Sequence, residues 1–275
     1  MNDLYTAMTM ACRDLGITPP GSLPAAGKWA DADIDGDPHG KGDARIKLFL
    51  DGEGGIACNW KSDEKQTFFA GSYETLTPEQ KAARHQAIEA ARIRAEAELR
   101  TERESAASKA TAIWKSANPA PADHAYLVRK AIPASGAKLH GDALAIPMRD
   151  GGDIHSLQFI GPDGDKRFLT GGRVHGCYFS IGNPKGAAAL CICEGFATGA
   201  SIHEATGLPV AVAFNAGNLL SVAKAMRKKF ADLPLILCAD DDNHTEGNPG
   251  LTKATEAARS VGALLAITFF GRVSA

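Results

Sequence analysis

Ala188-Ala189-Leu190-Cys191-Ile192-Cys193-Glu194 and Pro234-Leu235-Ile236-Leu237-Cys238-Ala239-Asp240-Asp241-Asp242 decide the fold. Each is an apolar run of strand length that ends in carboxylates. Neither run alternates with polar residues, so each predicts a strand covered on both faces. Between and beyond them the pattern repeats. Residues 196–206 predict a helix that stops at Gly207, and 209–214 a second apolar strand. Residues 218–230 predict a helix with Lys224, Arg227, Lys228 and Lys229 toward its C-terminal end, where the dipole favours cations. After the strand at 234–239 come a helix over 250–261 and a strand over 264–270. Continuous apolar strands alternating with helices predict a parallel α/β sheet flanked by helices.

Ligands bind such sheets beyond the carboxyl ends of the strands. Standing there are Glu194-Gly195, Asn215-Ala216-Gly217-Asn218, and Asp240-Asp241-Asp242. If the chain stays extended, Asp240 and Asp242 project to one side and Asp241 to the other. Clustered carboxylates repel one another unless a cation neutralises them. Hard oxygen donors select magnesium or manganese. The competing reading is a solvated acidic loop that caps the last helix; Glu194 at a matching strand end weighs against it. His244 reads as a loop residue. Gly247-Asn248-Pro249-Gly250-Leu251-Thr252-Lys253 is not a P-loop, although its amides and Lys253 suit a phosphate.

Upstream, 144–148, 154–160 and 166–169 read as strands separated by the turns Asp150-Gly151-Gly152-Asp153 and Gly161-Pro162-Asp163-Gly164-Asp165. This is an antiparallel meander. Residues 76–117 are rich in alanine, arginine, glutamate and lysine, without glycine or proline after Pro78. They predict a long connector helix with Thr77 as its cap, packing firmly only near Ile113 and Trp114. Residues 1–75 predict a short helix and a small sheet. The expected organisation is a small N-terminal α+β domain (1–75), the connector helix (76–117), an antiparallel or mixed subdomain (118–187) and the parallel α/β domain (188–275).

The composition sets limits on function. Of 275 residues, 44% are hydrophobic and 23% charged, enough for packed cores. The net charge of −2 excludes a uniformly basic surface but not a local basic patch. No apolar run has the length of a membrane span, and the N-terminus lacks the basic start of an export signal, so the expectation is a cytoplasmic protein. Cys12, Cys58, Cys177, Cys191, Cys193 and Cys238 show no paired zinc spacing and read as buried thiols. The run Asp31-Ala32-Asp33-Ile34-Asp35-Gly36 resembles an EF-hand start, but Gly42 stands where the loop needs glutamate. Trp29 and Trp60 read as core aromatics more readily than as base-stacking platforms.

Ile192-Cys193-Glu194-Gly195-Phe196 followed by Leu237-Cys238-Ala239-Asp240-Asp241-Asp242 resembles the Toprim signature, a Glu-Gly at one strand end and Asp-x-Asp at another. The meander before it, with Asp123 to Lys130, is similar to the segment that precedes Toprim in primases of plasmids, phages and integrative elements. The resemblance spans about residues 120–270 of the chain. It implies a DNA primase that makes RNA primers on a single-stranded DNA template from ribonucleoside triphosphates. A replicative helicase is a further implied partner. Glu194 is then the acid of the first motif, near the metal or acting in proton transfer. Asp240 and Asp242 become magnesium ligands, and Lys166 and Arg167 the basic pair on nucleotide or template. Asn218 and Lys253 join them as nucleotide contacts. Three departures stand out. The chain carries no cysteine-rich zinc ribbon, Thr198 replaces a further acid found in some primases, and no acid follows the last strand. A truncated unit is therefore also expected. The rival functions are a Toprim nuclease and a non-catalytic nucleic-acid-binding accessory protein.

Overall fold

A computed structural model describes residues 3–37, 42–71, 78–241 and 248–268. The chain falls into two compact units, Met1–Thr101 and Glu102–Ala275, and each is described by itself.

The first unit pairs α1 (Leu4–Asp14) with a four-stranded antiparallel sheet in the order β1 (Trp29–Ala32), β2 (Ala44–Leu48), β3 (Gly54–Asn59), β4 (Glu64–Phe69). Asp3 caps α1 by accepting from the Thr6 amide at 2.7 Å. Met8, Ala11 and Cys12 of α1 pack on Ala44, Ile46, Leu48, Ala57 and Phe68 of the sheet. Asn59 ties the two together. Its Nδ2 donates to the Leu15 carbonyl, and its Oδ1 accepts from the Lys61 amide.

The long helix α2 (Pro78–Ser116) forms as predicted and belongs to both units. The expectation that it packs only near Ile113 and Trp114 needs correction. In the first unit, Ala95 and Leu99 are buried against Phe49, Ile56 and Cys58, with Ala91 beside them. The spacing 91, 95, 99 is one helical stripe. Alanine lets a helix approach a sheet closely, so a stripe that looks weakly apolar still makes an interface. In the second unit, Ala110, Ile113 and Trp114 pack on Ala143, Ala145, Leu157 and Phe159.

The acidic stretch of the first unit holds a cation of its own. The Lys61 ammonium pairs with the Asp37 carboxylate and lies 3.4 Å from that of Asp43. Burial pushes the Asp43 carboxyl up from its usual range, and Lys61 pulls it back. Lys61→Met should cost about 2 kcal/mol at pH 7, because it leaves partly buried carboxylates without their partner. Asp43 binds its proton more tightly folded than unfolded, so its penalty grows as pH rises above the unfolded value. The stability gap between wild type and Lys61→Met should therefore be widest near neutrality and narrow toward pH 4.5. Urea unfolding at both pH values measures it.

The second unit contains two sheets. The first is antiparallel: β5 (Asn118–Pro119), β6 (Lys138–His140), β7 (Ala143–Asp150), β8 (Asp153–Ile160) and β9 (Lys166–Phe168), in sequence order, with α3 (Ala125–Lys130) between β5 and β6 in the chain. The other consists of β10 (Phe179–Ile181), β11 (Leu190–Cys193), β12 (Val210–Val212), β13 (Leu235–Asp240) and β14 (Leu264–Thr268). Its order is β10-β12-β11-β13-β14; β10 is antiparallel and the other neighbours are parallel. Three helices cover it: α4 (Phe196–Thr206), α5 (Leu219–Lys229) and α6 (Pro249–Val261). The parallel sheet flanked by helices, with the antiparallel subdomain ahead of it, is the predicted fold.

Side chains alternate along each parallel strand and divide the core. Cys191, Cys193, Val210, Val212 and Cys238 face α4 and the antiparallel sheet. Leu190, Ile192, Ala211, Ala213, Leu237 and Ala239 face α5 and α6. All six cysteines are free and buried. Gly199 is required on α4: a Cβ there would meet the Val212 side chain at 2.7 Å. Among the described residues, no helix is long and apolar enough to cross a membrane.

Candidate active site

In the parallel sheet, the chain leaves β11 for β12 on one side, then crosses to β13 on the other. The crevice where strand order reverses thus lies between β11 and β13, at their carboxyl ends. Cys193 pairs with Cys238 across it. Glu194 is the next residue on one strand, and Asp240 ends the other. Both carboxylates are half-buried.

Two neighbouring elements hold the aspartates. Thr198, buried in the first turn of α4, donates from Oγ1 to the Asp240 carboxylate at 3.4 Å. Asp241 accepts from Asn248 Nδ2 at 2.8 Å, which anchors the start of α6. Asp242, the third predicted ligand, lies outside the described residues, as does His244.

Lys166 comes to this crevice from the antiparallel sheet. It pairs with Ile160, whose side chain belongs to the core between the two sheets. Burial by the surrounding protein lowers the ammonium's pKa; Glu194 pulls it up, Lys130 pushes it down, and Asp240 pulls it up. Lys166 is nonetheless exposed to solvent. The turn before it is pinned by α3, where Arg129 Nη1 donates to the Pro162 carbonyl at 2.9 Å. Gly164 makes that turn at φ +89°, with Arg129 packed so close that a Cβ would meet it at 2.8 Å.

The predicted basic pair is split. Adjacent strand residues point to opposite faces. Arg167 pairs with Phe159 and lies over its ring at 4.6 Å, on the face that packs against α2. Lys253 is on the exposed surface of α6, 3.1 Å from Glu256.

Asn218 departs furthest from its predicted role as a nucleotide contact. It is completely buried. Its Oδ1 accepts from the Gly176 amide at 2.7 Å, while Nδ2 donates to the carbonyls of Cys177, Ala213 and Val174. Every polar atom of the side chain is spent inside the protein, so it clamps the 174–177 loop to the end of β12. Its neighbour Asn215, which the sequence sets at the same strand end with no role assigned, caps the following turn. Two asparagines in one turn look alike in sequence; only the fold reveals which one faces inward.

The donor set suits a hard divalent ion. Glu194 and Asp240 supply carboxylate oxygens at neighbouring strand ends, and magnesium takes one or two carboxylates with water and phosphate completing its shell. Among the described residues, no group of three histidine, cysteine or acidic side chains is gathered to hold a metal ion.

The Toprim domain family matches residues 189–269. Over 260 residues the chain is 35% identical to DNA primase TraC of Escherichia coli, covering 90% of this chain and 24% of that protein. A second Escherichia coli protein described as DNA primase TraC is 41% identical over 148 residues, 50% of this chain and 10% of its own. The chain thus spans about a quarter of the first relative's length and a tenth of the second's. No solved structure matches it at a significant level.

Proposed function

We propose, from a chain that carries a Toprim domain and is related over most of its length to part of a DNA primase, that it holds the catalytic centre of a magnesium-dependent primase. Its substrates are a single-stranded DNA template and ribonucleoside triphosphates. The observation that carries this reading is the pair of carboxylates, Glu194 and Asp240, at adjoining strand ends where the strand order reverses, with Lys166 near enough for both to act on its charge. A cation opposite two carboxylates is the arrangement that grips a polyphosphate from both sides.

Glu194, Asp240 and Asp242 would hold the magnesium ion, which supplies charge neutralisation on the phosphates. Thr198 keeps the Asp240 carboxylate in place. Lys166 offers its ammonium to the phosphate oxygens from the other side. The 3′-hydroxyl oxygen of the primer forms a bond to the α-phosphorus, and the bond to the bridging oxygen breaks. Pyrophosphate leaves, and Glu194 would accept the hydroxyl proton. The site contributes positioning and electrostatics rather than a covalent intermediate.

The protein, incubated with single-stranded DNA, ribonucleotides and magnesium, should yield short RNA products. Glu194→Gln should reduce them by about a hundredfold or more. Absence of products from wild type that still binds magnesium and DNA would overturn the catalytic reading in favour of an accessory binding protein. Cleavage of the DNA in the same reaction would point to a nuclease.

A further inference from the structure

Hydroxyls on the helices of this chain bond within their own helix. Thr101, Ser108, Thr206 and Thr255 each donate to the carbonyl four residues back, on Ala97, Glu104, Ile202 and Leu251. This local bond is the ordinary choice for serine and threonine in a helix. Thr198 departs from it. Its hydroxyl, in the first turn of α4, donates instead to Oδ1 of Asp240 on β13 at 3.4 Å. Thr198 is buried. A buried hydroxyl that gives up its local acceptor for a carboxylate on another element fixes how that carboxylate is turned.

The consequence falls on the ion. Groups that hydrogen-bond a metal-binding carboxylate set its orientation, and with it the way it meets the metal. A carboxylate with one oxygen turned toward a hydroxyl meets an ion through the other oxygen rather than through both. Magnesium suits that arrangement. It demands near-octahedral corners, which the narrow bite of a two-oxygen carboxylate does not span. Calcium is larger, takes about six to eight oxygens and gains from carboxylates that offer it both. A hydroxyl on Oδ1 therefore acts differently on the two ions.

Resting on the primase reading and its magnesium ion, we infer that Thr198 is a specificity-determining residue. Its hydroxyl holds Asp240 to one-oxygen coordination and so favours magnesium over calcium between Glu194 and Asp240. A neutral donor suits this position. It orients Asp240 without adding charge to the site, whereas an acid there would bring a further carboxylate for either ion to bind.

Thr198→Val and Thr198→Ser test this. Valine keeps the branched shape and removes the hydroxyl, while serine keeps the hydroxyl. Binding of magnesium and of calcium to the full chain is measured separately by calorimetry, with the melting temperature in metal-free buffer recorded beside it. In Thr198→Val the magnesium affinity should fall about tenfold, the size expected when a group that orients a metal ligand is lost. Calcium affinity should hold or rise, so the preference for magnesium should shrink by about tenfold or more. Thr198→Ser should keep the wild-type preference. Thr198→Ala serves if the valine variant does not fold. An equal fall for both ions would overturn the inference and leave Thr198 as a brace for Asp240. Wild-type affinities for both ions in Thr198→Val would overturn it as well. A wild type that binds neither ion would overturn the magnesium reading together with the inference. The expected selectivity without primer synthesis by the wild type would support the inference and overturn the primase reading alone.

Discussion

Asp240→Asn is expected to cut primer synthesis by about a thousandfold while leaving the fold intact. Asparagine keeps the shape of the side chain and an oxygen that can accept from Thr198, so the end of β13 and the start of α4 stay joined. What disappears is one negative charge in a site that needs it to hold a divalent ion. A second readout separates lost metal from lost structure. An ion that binds only the folded protein raises stability by about 1.4 kcal/mol at ten times its dissociation constant. Magnesium should thus raise the melting temperature of the wild type, and Asp240→Asn should show a much smaller shift from the same starting value. A variant with full primer synthesis would remove Asp240 from the site altogether.

The largest effect on stability is expected at Asn218. Asn218→Ala should cost about 3 kcal/mol or more, since it leaves the Gly176 amide and up to three carbonyls buried without their partner. Those groups lie on the 174–177 loop and at the end of β12. Asn218→Asp should fare no better, because a carboxylate would face three carbonyl oxygens. Denaturant unfolding gives the answer directly. Were the variant as stable as the wild type but defective in ATP binding, Asn218 would be a nucleotide contact and not a clamp.

The parallel sheet was legible because its strands are short, mainly apolar runs that alternate with segments of helix length. Gly207 is a good case. It stops α4 at φ +70°, with its amide on the His203 carbonyl, where the pattern ends. The strand order was not legible. Nothing in the local sequence says that β13 lies beside β11 while β12 lies on the far side, yet this is what brings Asp240 next to Glu194. Arg167 shows a different limit. A basic pair on a strand is one residue for each face, and only the partner across the ladder tells which face meets the site. The alanine stripe of α2 shows a third. Burial there depends on close approach rather than on large side chains, so residue size is a poor guide. Thr198 had registered only as a missing acid, and the structure gives it a partner, Asp240.

The strand register carries one more consequence, for how such a protein can change over generations. Glu194 and Asp240 are brought to neighbouring strand ends by the pairing of β11 with β13, although two α-helices and a strand intervene in the chain. The loops that lead into the strands, such as the one from α5 to β13, lie at the opposite edge of the sheet from the carboxylates. Insertions there lengthen the polypeptide without altering the gap that the two acids span. The end of the sheet that tolerates such insertions and the end that carries the two acids are thus a strand's length apart.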